Sequence, residues 1–258
     1  MKRPVLFALL FLWAVLPLAL LLVVSLGRTW FFPDVLPVDW TAESWLALAE
    51  SGRLHVALLH SIVLAAPTGL IAALIAWPVG RAIASANRTV RHIGAALAFL
   101  PVAAPPVALA TGLHWSFLRL GLGGTFAGVL FAHIVPATAY AALFMLGVFS
   151  TWDSRAEDEA RTLGAAPMQV RLRITLPLLR RPLLEAWLLG FLVSWAQLPL
   201  TLLIGGGLIS TLPLEVFAYM QAGQDRYAAT GALLLLIPPL IALAAVRVAA
   251  GRTETVVV

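Results

Sequence analysis

The 258-residue sequence has no cysteine, a single lysine (Lys2) and few charges of any kind, 11% of its residues. Each shortage removes a class of chemistry. Without cysteine there are no disulfide staples, thiolate metal sites or cysteine nucleophiles. With its one lysine beside the N-terminus, the chain has neither a P-loop lysine nor a buried Schiff-base lysine, so it does not itself hydrolyse nucleoside triphosphates. No nucleophile elbow, metalloprotease pair or paired catalytic carboxylates occur, and no residue is assigned a catalytic role. His55, His60, His92, His114 and His133 do not pair at helical spacing with a carboxylate, and they read as structural rather than metal-ligating. Internal repeats and low-complexity tracts are also missing.

What is present is apolar. The sequence is 61% hydrophobic with a mean hydropathy of +0.96, against about 45–50% apolar residues in a soluble domain. Six apolar runs, about 5–26, 55–82, 93–118, 124–149, 183–204 and 228–249, are each long enough to cross a bilayer at about 20 residues per crossing. The first exceeds the apolar region of a signal peptide and lacks a clear small-residue cleavage site, so it reads as a retained span. Pro101, Pro105 and Pro106, and later Pro238 and Pro239, predict kinks, because proline removes a donor and clashes with the preceding turn.

The arginines set the orientation. With the N-terminus inside, the inner segments hold Lys2, Arg3, Arg81, Arg88, Arg91, Arg155, Arg161, Arg171, Arg173, Arg180, Arg181, Arg247 and Arg252, and the outer ones Arg28, Arg53, Arg119 and Arg226. Thirteen against four places both termini in the cytoplasm. The net charge of +5 and the pI near 10.7 follow from this bias; arginines scattered over separate loops do not form a nucleic-acid face. The expected fold class is an all-α integral membrane protein, one domain over residues 1–258 with six transmembrane helices. Two outer segments do more than connect. Residues 29–54 carry Trp30, Trp40 and Trp45 among acidic residues, which predicts an aromatic belt and a short interfacial helix. Residues 205–227 open on Gly205, Gly206 and Gly207, which permit a tight turn, and then offer Thr211 as the cap of a short helix with Glu215 in its first turn.

The richest stretch is the inner loop 153–181 between the fourth and fifth spans, with ten of the 29 charged residues. Ser154 and Glu157 have the spacing of a capping box. The first helix should close at Gly164 in the left-handed conformation; a second can start at Pro167 and should stop before Pro177. Leu163, Val170 and Ile174 offer apolar seating for a partner.

At these residues the sequence resembles the permease subunits of binding-protein-dependent ABC importers of type I, whose cytoplasmic EAA loop has an acidic residue, two alanines, three variable residues, Gly-Ala and then a spaced Ile-x-Leu-Pro. Here Asp158, Glu159, Ala160, Gly164 and Ala165 are followed by Ile174, Leu176 and Pro177 at the family spacing. Asp158 replaces the usual glutamate and Glu159 the first alanine. The resemblance implies a bacterial inner-membrane permease whose loop couples to two ABC ATPase subunits. It also implies a second permease chain, like or unlike, a surrounding of membrane lipid, and an extracytoplasmic solute-binding protein. ATP and magnesium would belong to the ATPase, and no cofactor or nucleic acid to this chain. Within that family, the aromatic-rich first outer loop and the segment from Thr211 to Glu215 resemble the subgroup for polyamines, ferric iron, thiamine and oxyanions.

Within the fifth span, Ser194, Trp195 and Gln197 are the expected path-lining residues, since polar groups at membrane depth default to function. An ion-coupled secondary transporter would need charged groups inside the spans, and Glu185 stands near one end only, beside Arg180 and Arg181. A membrane-embedded enzyme would need catalytic groups converging at one depth, and none do.

Overall fold

The computed structural model describes residues 3–30 and 33–251; Lys2 and Arg252, both counted above for orientation, lie outside them. Apart from one small antiparallel pair, the described chain is helical. The order is α1 (Arg3–Leu26), β1 (Gly27–Thr29), β2 (Asp39–Trp40), α2 (Glu43–Glu50), α3 (Gly52–Ser85), α4 (Arg88–Ala103), α5 (Pro106–Arg119) and α6 (Phe126–Ser150). It continues with α7 (Arg155–Thr162), α8 (Pro167–Val170), a π-helical turn (Arg171–Thr175), α9 (Leu176–Trp195), α10 (Pro199–Gly205), α11 (Leu212–Gln221), α12 (Asp225–Leu234) and α13 (Ile237–Gly251). Gly27 faces Trp40 and Thr29 faces Asp39 across the β1–β2 pair, with a bulge between.

Among the described residues four helical stretches are long and apolar enough to cross a membrane: α1, α3, α6 and residues 225–251. Counting α4 with α5 and α9 with α10 raises the number to six. The prolines explain the breaks. Run 93–118, expected as a kinked span, is two helices at 95°. Ala104 stands before Pro105 in extended backbone, as steric conflict with the proline ring requires. The 183–204 run bends by 61° between α9 and α10. In the last run the interruption falls at Leu235 and Leu236, just before Pro238 and Pro239, whose missing N–H groups cannot serve the preceding carbonyls.

The chain forms two compact units, Met1–Ser61 with Ser210–Leu240, and Ile62–Ile209 with Ile241–Val258. In the first, α1, α2 and α11 pack on α12. Ser44 donates to the Ser25 carbonyl at 2.8 Å, and the Trp45 indole donates to Ser25 Oγ at 3.2 Å. The glycine turn forms as expected, with Gly206 and Gly207 at φ of 56° and 78°. Thr211 holds the cap position of α11, but its buried hydroxyl makes no cap bond. The Leu212 N–H is taken instead by Ser61 Oγ at 2.8 Å, and Glu215 pairs with Arg53 at 3.0 Å.

The larger unit is built on α3, α6 and α9. Ala72, Ala73 and Ala76 meet Ala137, Ala141, Ala142 and Met145, with Leu179 and Ala186 from α9. Small side chains let these backbones approach closely, the packing that works where lipid supplies no hydrophobic drive. Gly69 shows the limit: a Cβ there would lie 2.9 Å from the Phe191 nitrogen.

Candidate coupling site

The site begins with the length of α3. Its 34 residues span about 51 Å at 1.5 Å per residue, more than the about 30 Å of a hydrocarbon core. Its last turns, with Arg81 and Ser85, meet the 153–181 segment.

That segment is a helix, a turn and a helix, as expected from sequence. Gly164 closes α7 with φ at 85°. Its N–H bonds to the Arg161 carbonyl at 3.0 Å and the Ala165 N–H to that of Ala160 at 2.9 Å, the pattern of a left-handed helix stop. Pro167 opens α8, and Gln169 Oε1 accepts the Ala166 N–H at 3.1 Å. The expected stop before Pro177 does not occur. α8 runs through the π turn directly into α9, and the Leu176 N–H pairs with the carbonyl of Arg171, five residues back. The wider register accommodates a proline that has no N–H to offer. The loop is therefore joined to the fifth apolar run by continuous helix.

The expected capping box is not formed either. Ser154 makes no cap bond; its hydroxyl donates to Asp158 Oδ2 at 2.9 Å. Glu157 turns inward instead, 1% exposed. Its carboxylate accepts two hydrogen bonds from the Arg81 guanidinium, one at 3.0 Å to Oε1, and another from the Thr175 hydroxyl at 2.8 Å. Arg161 adds a looser contact at 3.7 Å. Arg81 also lies over the Phe149 ring, 5.6 Å from its centre. One carboxylate thus ties α7 to the end of α3 and to the π turn. The Arg81 guanidinium holds the Glu157 carboxyl below the usual carboxylate range; burial opposes this and the Thr175 hydroxyl assists it.

With Glu157 inward, the opposite face of α7 is presented outward. Asp158 is exposed and bound within its own helix to Ser154 and Arg161. Glu159 and Gly164 are exposed, and Ala160 and Ala165 partly so. Ile174 and Leu176 are half-buried and Pro177 exposed. Val170, expected as apolar seating, is 2% exposed and packs inward. The large apolar side chains of the segment at the surface are Leu163, Met168, Leu172 and Leu178. Sequence reasoning missed Glu157 and Arg81 as a pair; an arginine near the end of a long apolar run, matched to an acidic residue in the next inner loop, was the available cue.

A second polar cluster lies at the α9–α10 break. His133, on α6, is 1% exposed. Its Nδ1 lies 2.8 Å from Ser194 Oγ and its Nε2 3.0 Å from Thr201 Oγ1, while the Thr201 hydroxyl donates to the Gln197 carbonyl at 2.9 Å. With that proton committed, Nε2 donates to Thr201 and Nδ1 accepts from Ser194. His133 therefore bridges both sides of the bend. Ser194 and Trp195 are buried in this unit, and Trp195 stacks on Phe191 at 5.8 Å; Gln197 keeps partial exposure.

Residues 65–254 match the family described as binding-protein-dependent transport system inner membrane component. The molybdenum transport system permease protein ModB of Mycobacterium tuberculosis is 32% identical over 222 residues, 80% of this chain and 83% of that protein. The spermidine/putrescine transport system permease protein PotC of Haemophilus influenzae is 26% identical over 75% of this chain and 76% of its own length. Among solved structures, a bacterial ABC transporter that imports the acidic polysaccharide alginate has a chain similar in fold, with a TM-score of 0.67 at 18% identity over 95% of this chain and 94% of its own.

Proposed function

The chain belongs to the inner membrane components of binding-protein-dependent transport systems, and from that premise we propose that it is half of the solute path of an ATP-driven importer, worked through its 153–181 loop by a separate ATPase. It is then a multi-pass inner-membrane permease with both termini cytoplasmic, and each bent helix pair counts as one of six crossings. The arginine bias supports that orientation.

The observation that carries the reading is the rigid mounting of the loop. A lever must transmit displacement rather than absorb it. Glu157 fixes α7 to α3 through Arg81, and the π turn makes α8 continuous with α9. Leu163, Met168 and Leu172 offer apolar anchors on the outward side, and Asp158 and Glu159 set the register against the ATPase. Closure of two ATPase subunits on ATP and magnesium would then rotate α3 and α9 together as rigid bodies. A second permease chain completes the path, and an extracytoplasmic binding protein delivers solute. A solved relative of the fold was captured with an alginate pentasaccharide-bound periplasmic protein, which supports that last partner. The half-exposed Gln197 faces the path; Ser194 and Trp195 support it from inside the subunit.

For the solute, we favour an oxyanion, because the 32%-identical relative is named for molybdenum transport; a polyamine is the second reading, from the relative at 26%. Titrating the cognate binding protein with molybdate and with spermidine separates them. The lever is tested by Gly164→Val, which forces a β-branched residue into a left-handed backbone at a cost of about 1–2 kcal/mol. The variant should insert in the membrane yet no longer co-purify with the ATPase. Undiminished co-purification would overturn the lever.

A further inference from the structure

Two cavities share one residue of α3 in their walls. One is a cleft of about 620 Å³ between the end of α3 and the loop, reached by Arg81, Arg161, Arg171 and Ser85 as well as Glu157. The other is a groove of about 750 Å³ among α3, α9 and α13, apolar apart from Arg180 and lined by Leu70, Leu183, Trp187 and Val246. Leu74 lines both, so a polar chamber and an apolar one adjoin.

Their charges do not cancel. The cleft gathers three arginines against one carboxylate. Arg81 and Arg161 are engaged with Glu157 and Asp158, whereas Arg171 and Arg180 have no ion-pair partner among the described residues. We propose that these adjoining cavities hold one anionic phospholipid, its phosphate drawn to Arg171 and Arg180 and an acyl chain along the groove. The volume is that of a ligand pocket, and basic pockets between helices on the cytoplasmic side suit anionic headgroups. An apolar helix of a second permease would fill the groove but leave Arg180 on its wall without a counter-charge. Arg180 can lie along the groove wall with its stem in apolar contact and its head toward the interface. Because Arg81 and Glu157 line the same cleft, a bound lipid would touch the mounting of the coupling loop.

The inference rests on the orientation put forward above, which sets the cleft on the cytoplasmic side. The complete importer is purified from vesicles of phosphatidylglycerol mixed with phosphatidylcholine, and retained lipid is measured by native mass spectrometry. Wild type should keep phosphatidylglycerol in preference to phosphatidylcholine. The double variant Arg171→Gln, Arg180→Gln should lose it by about tenfold or more, the effect of removing two charges from an anionic-lipid contact. Arg171→Lys with Arg180→Lys should restore retention. Equal retention by wild type and the glutamine variant, or no preference between the lipids, overturns the proposal. So does displacement by excess inorganic phosphate, or cross-linking of Leu184→Cys to a second permease chain in place of lipid. Loss of the ATPase from the same preparation with lipid retained counts against the importer reading, not against this site.

Discussion

Glu157 and His133 are each 1% exposed, yet one is an ion-pair partner and the other a link in an uncharged hydrogen-bond chain. Their positions explain the difference. Glu157 is itself buried, but its partner Arg81 keeps 36% side-chain exposure on a cleft. Charge survives there because water still reaches one member of the pair. His133 sits about two turns inside α6 and is buried, where a lone charge would be costly, and each ring nitrogen is satisfied by a hydroxyl. Both clusters do the same mechanical work. Each joins elements that the backbone alone leaves separate, α7 to α3 in one case and the two sides of the α9–α10 bend to α6 in the other.

The comparison breaks most visibly at Glu157. Glu157→Leu strands Arg81 and frees the Thr175 hydroxyl. A fully buried broken pair costs about 3–5 kcal/mol; the exposure of Arg81 lowers this to about 2 kcal/mol. ATPase co-purification should fall sharply while membrane insertion, measured by detergent-extracted yield, holds. His133→Leu should cost less, about 1 kcal/mol, because it removes two neutral hydrogen bonds whose partners can turn to nearby carbonyls. Thermal melting of the detergent-solubilised protein reads that loss, and the ATPase should still bind. A drop equal to that of Glu157→Leu would erase the distinction between the clusters.

Acid separates them further. The Glu157 carboxyl titrates lower folded than unfolded, so its contribution is complete above its ordinary value of 4.5 and is lost as pH falls through the lower folded value. ATPase association should therefore be flat with pH above 4.5 on this group's account and weaken below it, and Glu157→Gln should remove that acid limb. The smallest effect on folding is expected for Gln197→Leu, a half-exposed residue beside the bend. It should change uptake or its coupling to ATP hydrolysis with little change in melting temperature; normal uptake would take Gln197 out of the path.

The parts legible in the sequence were those set by local chemistry. Gly164 as a left-handed stop, Pro167 as a helix start, the glycine turn before α11 and the Arg181–Glu185 pair at 3.1 Å are each determined within a few residues. The 95° break between α4 and α5 was legible as a kink but not as an angle, because the prolines say where hydrogen bonds fail and not how neighbours repack. The capping box misled for a related reason. Ser154 and Glu157 satisfy the local spacing, but Arg81 lies 76 residues away and wins the carboxylate. Likewise, nothing near Pro177 announced that a π turn would carry the helix past it. Ser194 reads as a path residue by polarity alone until His133, 61 residues distant, is seen to hold it.

The central claim is that this chain is moved from outside itself, through a loop whose inner face is fixed by Glu157. The direct test is solute uptake into proteoliposomes holding the permease pair and binding protein, with and without the ATPase and ATP. The account predicts uptake only when the ATPase and ATP are both present, and its loss in Glu157→Leu. Uptake by the permease alone, or undiminished ATP-driven uptake in Glu157→Leu, would contradict it.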